Sequence, residues 1–158
     1  MLAAMNPTLL FGDILQQKVD AIVNPWNRNI IPWWLLLPQG VSGDIKKQGG
    51  YFPFKEVAKY GPIPLGEARI TSAGELKYKA IIHVAGINIF WFATKVSITN
   101  SVISAMNLAE KNRFKSIAFP LIGAGSGNRG KEFSKRTMLN AFKNLNFSIQ
   151  VSLVEYKK

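Results

Sequence analysis

Residues 116–130 read Ser116-Ile117-Ala118-Phe119-Pro120-Leu121-Ile122-Gly123-Ala124-Gly125-Ser126-Gly127-Asn128-Arg129-Gly130. The first seven are nearly all apolar, as in a strand buried on both faces of a sheet. The next eight hold four glycines, and an amphipathic stretch follows from Lys131. A strand, a glycine-rich turn and a helix in that order expose backbone N–H groups at the positive end of a helix, which is where phosphate binds. Three readings compete: two ligand motifs and a plain turn. Gly125 to Lys131 has the spacing of a P-loop, but Glu132 stands where a hydroxyl must hold magnesium, and its carboxylate would repel the phosphates. Gly125, Gly127 and Gly130 also spell a dinucleotide fingerprint, with Glu155 after the next strand as a ribose partner. The three residues that follow it are too few for the further strands such a domain requires. A tight turn with no ligand needs fewer glycines than these. A bound diphosphate is the better reading.

Outward from this unit, strands are expected at Thr8–Phe11, Ala21–Val23, Ala68–Ser72, Ala80–Ala85 and Ile149–Val154, and helices at Ser42–Gln48, Thr99–Asn112 and Lys131–Leu145. On the second of these helices Val102, Ile103, Met106 and Ala109 make one apolar face. On the third, Phe133, Thr137, Ala141 and Phe142 point inward. Strands alternating with helices predict an α/β fold with a parallel or mixed sheet covered on both faces. The 158 residues suit one domain spanning 1–158.

Composition narrows the chemistry. With no cysteine there is no disulfide, thiol nucleophile or zinc-thiolate site, and the single histidine, His83, excludes a multi-histidine metal cluster. His83 sits inside an apolar strand and reads as a packed residue. The longest apolar run, Ile30 to Leu37, is far short of the ~20 residues that span a bilayer, and no targeting segment is evident, so a cytoplasmic protein without membrane contact is expected. The formal net charge is +11, of which residues 80–158 carry eleven basic and three acidic side chains. Such an excess points to an anionic partner, nucleic acid included. Arg129, Lys131 and Lys135 adjoin the glycine-rich turn, where they would raise the potential felt by a diphosphate.

Several segments, taken in order, resemble the macro domain family, which binds ADP-ribose. Gly12-Asp13-Ile14 is similar to its G-D-I turn, Val23-Asn24-Pro25-Trp26-Asn27 to its V-N-A-A-N, and Gly40-Val41-Ser42-Gly43 to its first diphosphate loop, G-V-D-G. Ile82-His83-Val84-Ala85-Gly86 is similar to its H-T-V-G strand, and Phe119 to Gly125 to the strand and second diphosphate loop. The similarity runs from about Thr8 to Val154. It implies a three-layer α/β/α fold with a mixed central sheet, and a site assembled residue by residue. Asp13 would accept from the adenine amino group and Ile14 would lie against the base. Asn27 would bond the distal ribose hydroxyls. Gly40, Val41, Ser42 and Gly43 on one side, and Ile122, Gly123, Ala124, Gly125, Ser126 and Gly127 on the other, would close on the diphosphate through backbone N–H groups. No cofactor or metal is implied.

The departures bear on catalysis. Hydrolases of this family carry Asp in the first loop, and Ser42 stands here. Serine has no charge near neutral pH and is a poor base without a partner. Leu37-Pro38-Gln39 replaces the glycines before the loop, and Gly127 stands where an aromatic residue often covers the distal ribose. Trp33 and Trp34, or Trp91 and Phe92, are candidates to supply that wall, with packing as the plainer role. ADP-ribose or an ADP-ribosylated substrate is thus the expected partner. Hydrolysis of such conjugates is open, with Asn27 the one catalytic candidate, and a substrate phosphate would replace Asp in activating water. A nucleic-acid-binding module and a non-catalytic macro-domain reader or scaffold are the alternatives.

Overall fold

The computed structural model describes residues 4–27, 40–87, 93–124 and 130–156. Eleven elements follow in chain order: β1 (Thr8–Gly12), a 3-10 turn (Ile14–Gln16), β2 (Ala21–Asn27), α1 (Gly40–Gly49), α2 (Phe52–Ala58), β3 (Ala68–Thr71), β4 (Ala80–Ile87), α3 (Lys95–Lys111), β5 (Ser116–Pro120), α4 (Lys131–Lys143) and β6 (Gln150–Tyr156). The six strands form one sheet in the order β1-β6-β5-β2-β4-β3. All neighbours are parallel except β3 and β4, so the sheet is mixed, as expected.

The strand period of two sorts the core into two layers. Val23, Ile82, Val84, Ile117, Phe119, Val151 and Leu153 face α3 and α4, where they meet Val102, Met106, Met138 and Phe142. The alternate residues Ile22, Trp26, Ile81, Ala85, Ala118 and Val154 face the other way, against Ile45 of α1 and Phe54 and Val57 of α2. A sheet with helices on both faces is the three-layer α/β/α architecture.

Most elements fall where the sequence puts them, with instructive shifts. The helix expected from Thr99 begins at Lys95, because Thr94 and Ser97 form a reciprocal capping box. Its buried face is Ile98, Ser101, Val102, Ala105, Met106 and Ala109. Ile103, expected on that face, lies beside it and is half-exposed. On α4 the inward Thr137, Ala141 and Phe142 hold as read, Phe133 is only half-buried, and Ser134 and Met138 complete the face. The strand expected to run to Ile122 stops at Pro120, and Leu121–Ala124 turn away from the sheet. Helix α2 has no clear signal in the sequence. Pro53 near its start and the buried Phe54 and Val57 explain it, but seven residues are too few to show a helical period.

Candidate functional site

Parallel strands bring their carboxyl ends to one edge. Strand β2 leads to α1 on one face of the sheet, and its neighbour β5 leads to α4 on the other. In an open α/β sheet the two chains diverge at such a point and leave a crevice at the carboxyl ends, where ligands bind. Here two glycine-bearing segments, one opening α1 and one preceding α4, flank it.

On the first flank the helix expected from Ser42 begins two residues earlier, so Gly40, Val41, Ser42 and Gly43 form the opening turn of α1. The first four N–H groups of a helix have no partner within it, so the turn still offers donors to an anion. Ser42 is buried, and its Oγ–H donates to Asn24 Oδ1 on β2 at 2.6 Å. Its proton goes to a neutral amide and not to a base. Nothing in this contact activates Ser42, in keeping with its reading as a poor base.

The second flank is fixed differently. Gly123 has φ +82°, and a side-chain Cβ there would stand 2.6 Å from the Cβ of Ala93. Only glycine meets both conditions without strain. Beside it, a Cβ on Gly86 would lie 2.5 Å from Cγ2 of Ile122, so β4 and the turn approach backbone to side chain. Ser134 of α4 donates its Oγ–H to the Ile122 carbonyl at 2.6 Å, which ties the turn to the helix it precedes. Gly130 is the N-cap of α4 and supplies no side-chain cap.

Asp13 follows β1 at the same edge. It caps the 3-10 turn, with Oδ1 accepting from the Leu15 N–H at 2.9 Å. Asp13 keeps a second carboxylate oxygen beyond the one that caps. Ile14 is buried in the layer beneath α1. Tyr78 braces this turn, donating its hydroxyl to the Gln17 carbonyl at 2.9 Å. Burial, with help from the Asp13 charge, raises its pKa above the ordinary value. Sequence reading misses one residue here. Tyr156, at the end of β6, is exposed and pairs in register with Gly12, the residue before Asp13. Only the β1–β6 pairing reveals it.

Asn27 is the last residue of β2, aligned with Ile87 after a register shift that follows Trp26. Gly125, Ser126, Gly127, Arg129, Trp33, Trp34, Trp91 and Phe92 lie outside the described residues.

His83 is packed, as read. It is fully buried on the α1/α2 side against Trp26 and Phe54, each ring 6.3 Å away. That desolvation lowers its pKa to about 3, so the ring is neutral near pH 7. Of the basic residues near the turn, Lys135 is ion-paired: its Nζ lies 3.4 Å from Glu155 and 3.7 Å from Glu132, so two carboxylates share its charge. The same pair occupies Glu155, the residue offered as a ribose ligand in the dinucleotide reading. Among the described residues no group of three His, Asp or Glu side chains is gathered as a metal site would require.

Comparison with known proteins agrees with this architecture. The Macro domain family model matches residues 23–138. The chain belongs to the macro domain family. The macro domain-containing protein lmo2759 of Listeria monocytogenes is 39% identical over 129 residues, covering 77% of this chain and 69% of its own. The macro domain-containing protein TTE0995 of Caldanaerobacter subterraneus is 38% identical over 126 residues, covering 75% and 68%. Among solved structures, the Trypanosoma brucei macrodomain in complex with ADP-ribose superposes with a TM-score of 0.80 at 21% identity, covering 99% of this chain and 69% of that one. The Oceanobacillus iheyensis macrodomain with ADP gives 0.77 at 24% identity, covering 99% and 86%.

Proposed function

We propose that this protein binds ADP-ribose, free or as part of a conjugate, in the crevice at the carboxyl edge of the sheet. One observation carries the reading: α1 and the Leu121–Ala124 turn come in from opposite faces on either side of the β2–β5 divergence, while Asp13 follows β1, three strands from β2, and Tyr156 ends β6, two strands from it. Three strand spacings make about 14 Å. That length suits an extended ligand with its base at β1 and β6, its diphosphate at β5 and β2, and its second ribose towards β2 and β4. Two structural neighbours are macrodomains in complex with ADP-ribose and with ADP, which supports a ligand of this class.

In this arrangement Asp13 accepts from the adenine amino group, and Tyr156 offers its ring face to the base. Backbone N–H groups of Gly40–Gly43 and Ile122–Gly127 bind the diphosphate, each charge-assisted bond being worth about 1.5–3 kcal/mol. Asn27 bonds the distal ribose hydroxyls. If conjugates are hydrolysed, the rate comes from orientation by Asn27 and a substrate phosphate that activates water, with no side-chain nucleophile.

Calorimetric titration with ADP-ribose tests binding, and absence of heat at millimolar ligand overturns the reading. Gly125→Glu should abolish binding through clash and repulsion while leaving the fold intact. Turnover of an ADP-ribosylated protein and of O-acetyl-ADP-ribose, compared between wild type and Asn27→Ala, tests catalysis. Equal rates would remove Asn27 from it.

A further inference from the structure

Beneath the crevice, buried polar side chains from α1, β2, β4 and β3 are linked end to end. Ser42 Oγ donates to Asn24 Oδ1 at 2.6 Å, Asn24 Nδ2 meets His83 Nδ1 at 3.0 Å, and His83 Nε2 meets Thr71 Oγ1 at 2.8 Å. Thr71 Oγ1 in turn donates to the Ser72 carbonyl at 2.9 Å. All four side chains belong to buried residues.

The direction of the chain is determined from its far end. A hydroxyl has one proton, and that of Thr71 goes to a carbonyl, so Thr71 must accept from His83. His83 therefore carries its proton on Nε2 and accepts on Nδ1. Asn24 then turns its NH₂ to the ring and its oxygen to Ser42, and Ser42 has to donate. The ring's neutrality keeps Nδ1 an acceptor. Every link agrees with every other, and the chain ends on the third residue of α1.

We propose that Thr71, His83 and Asn24 are positioning residues for the ligand site, setting the hydrogen-bond direction at Ser42 and so seating the first turn of α1 on β2. None of the three need touch the ligand. Removing the Thr71 hydroxyl strands the Nε2 proton in an apolar wall. The other tautomer carries its proton on Nδ1, which turns the Asn24 amide over and presents NH₂ to Ser42. The Ser42 oxygen then accepts from Asn24, and its own proton, released from β2, needs a new acceptor, which shifts the seat of the opening turn. The proposal rests on the ADP-ribose reading, because α1 is taken to be one of the two diphosphate contacts.

Thr71→Val tests it, with Thr71→Ser as the conservative control. ADP-ribose affinity should fall on the order of tenfold in Thr71→Val, the worth of about one hydrogen bond, and stay within about twofold of wild type in Thr71→Ser. Nitrogen-15 NMR of the single histidine should show the Nε2–H tautomer in wild type and in Thr71→Ser, and the Nδ1–H tautomer in Thr71→Val. Affinities are measured well below each melting temperature, so that a merely structural role would lower stability without moving them. If Thr71→Val does not fold, Ser42→Ala cuts the chain at its other end and should weaken ADP-ribose by a similar factor. Unchanged affinity in a folded variant, or an Nδ1–H tautomer in wild type, overturns the proposal while leaving ADP-ribose binding in place. A wild type that does not bind ADP-ribose overturns both.

Discussion

The two flanks of the crevice do the same geometric job by different means. The first, Gly40–Gly43, is tethered by a side chain: Ser42 bonds to Asn24, and the contact continues through His83 to Thr71. The second, Leu121–Ala124, is held by what is missing. Gly123 and Gly86 leave room for Ala93 and Ile122, and a single hydroxyl, that of Ser134, secures the Ile122 carbonyl. A polar tether has a direction and depends on protonation. A steric fit has neither, but tolerates no added carbon.

The difference is breakable, and the largest effect belongs to the steric side. Gly123→Ala should cost about 2–4 kcal/mol in a denaturant titration, combining a left-handed backbone with an overpacked contact. Ser134→Ala should cost about 1–3 kcal/mol, since it leaves the buried Ile122 carbonyl without its donor. Both should lower affinity by distorting one flank, with no dependence on pH.

The tethered side should answer to acid. In the unfolded chain His83 protonates near pH 6.5, but in the fold only near 3. Between these values the unfolded state holds one proton more. Stability therefore rises with pH across that window and falls on acidification, by about 1.4 kcal/mol per pH unit from this group alone. His83→Gln should flatten that part of the stability–pH curve, measured by urea unfolding from pH 4 to 7. An unaltered slope would mean that the ring is not held neutral. Asp20 acts in the same sense at lower pH. Its carboxylate accepts from the Lys115 N–H at 2.7 Å, which holds its pKa below the ordinary Asp value. Its contribution is present above the unfolded Asp range and is lost as pH falls through the lowered value.

The smallest effect expected is at Lys135. Because Glu155 and Glu132 already match its charge, Lys135→Gln should leave ADP-ribose affinity within about twofold, by the modest worth of such partly exposed pairs. A much larger loss would restore it as a ligand-facing cation.

Much of the frame is legible in the chain. Apolar runs at Ala80–Ala85 and Ser116–Pro120 are what strands buried on both faces require. The glycine turn at Gly123 marks the strand-to-helix reversal because only glycine accepts its backbone. What escapes a reading of the sequence is non-local. Asn24 looks like part of a motif and His83 like packing. Their bond exists because β2 and β4 pair in the register Asn24–His83, across 59 steps of chain. Tyr156 is passed over for the same reason: its place opposite Gly12 follows from β1 pairing with β6, near the two ends of the described chain. Local periodicity also misjudges Ile103, which lies about 100° around α3 from the buried Val102. The helix expected from Ser42 starts at Gly40, because glycine at a helix start is permitted even though it is poor within one.

The central claim is that the two flanks together hold a diphosphate ligand. Isothermal titration of the wild-type protein with ADP-ribose tests it most directly. A saturable 1:1 isotherm, with an affinity in the micromolar range or about −8 kcal/mol, is the predicted result. No heat of binding at millimolar ADP-ribose would contradict it.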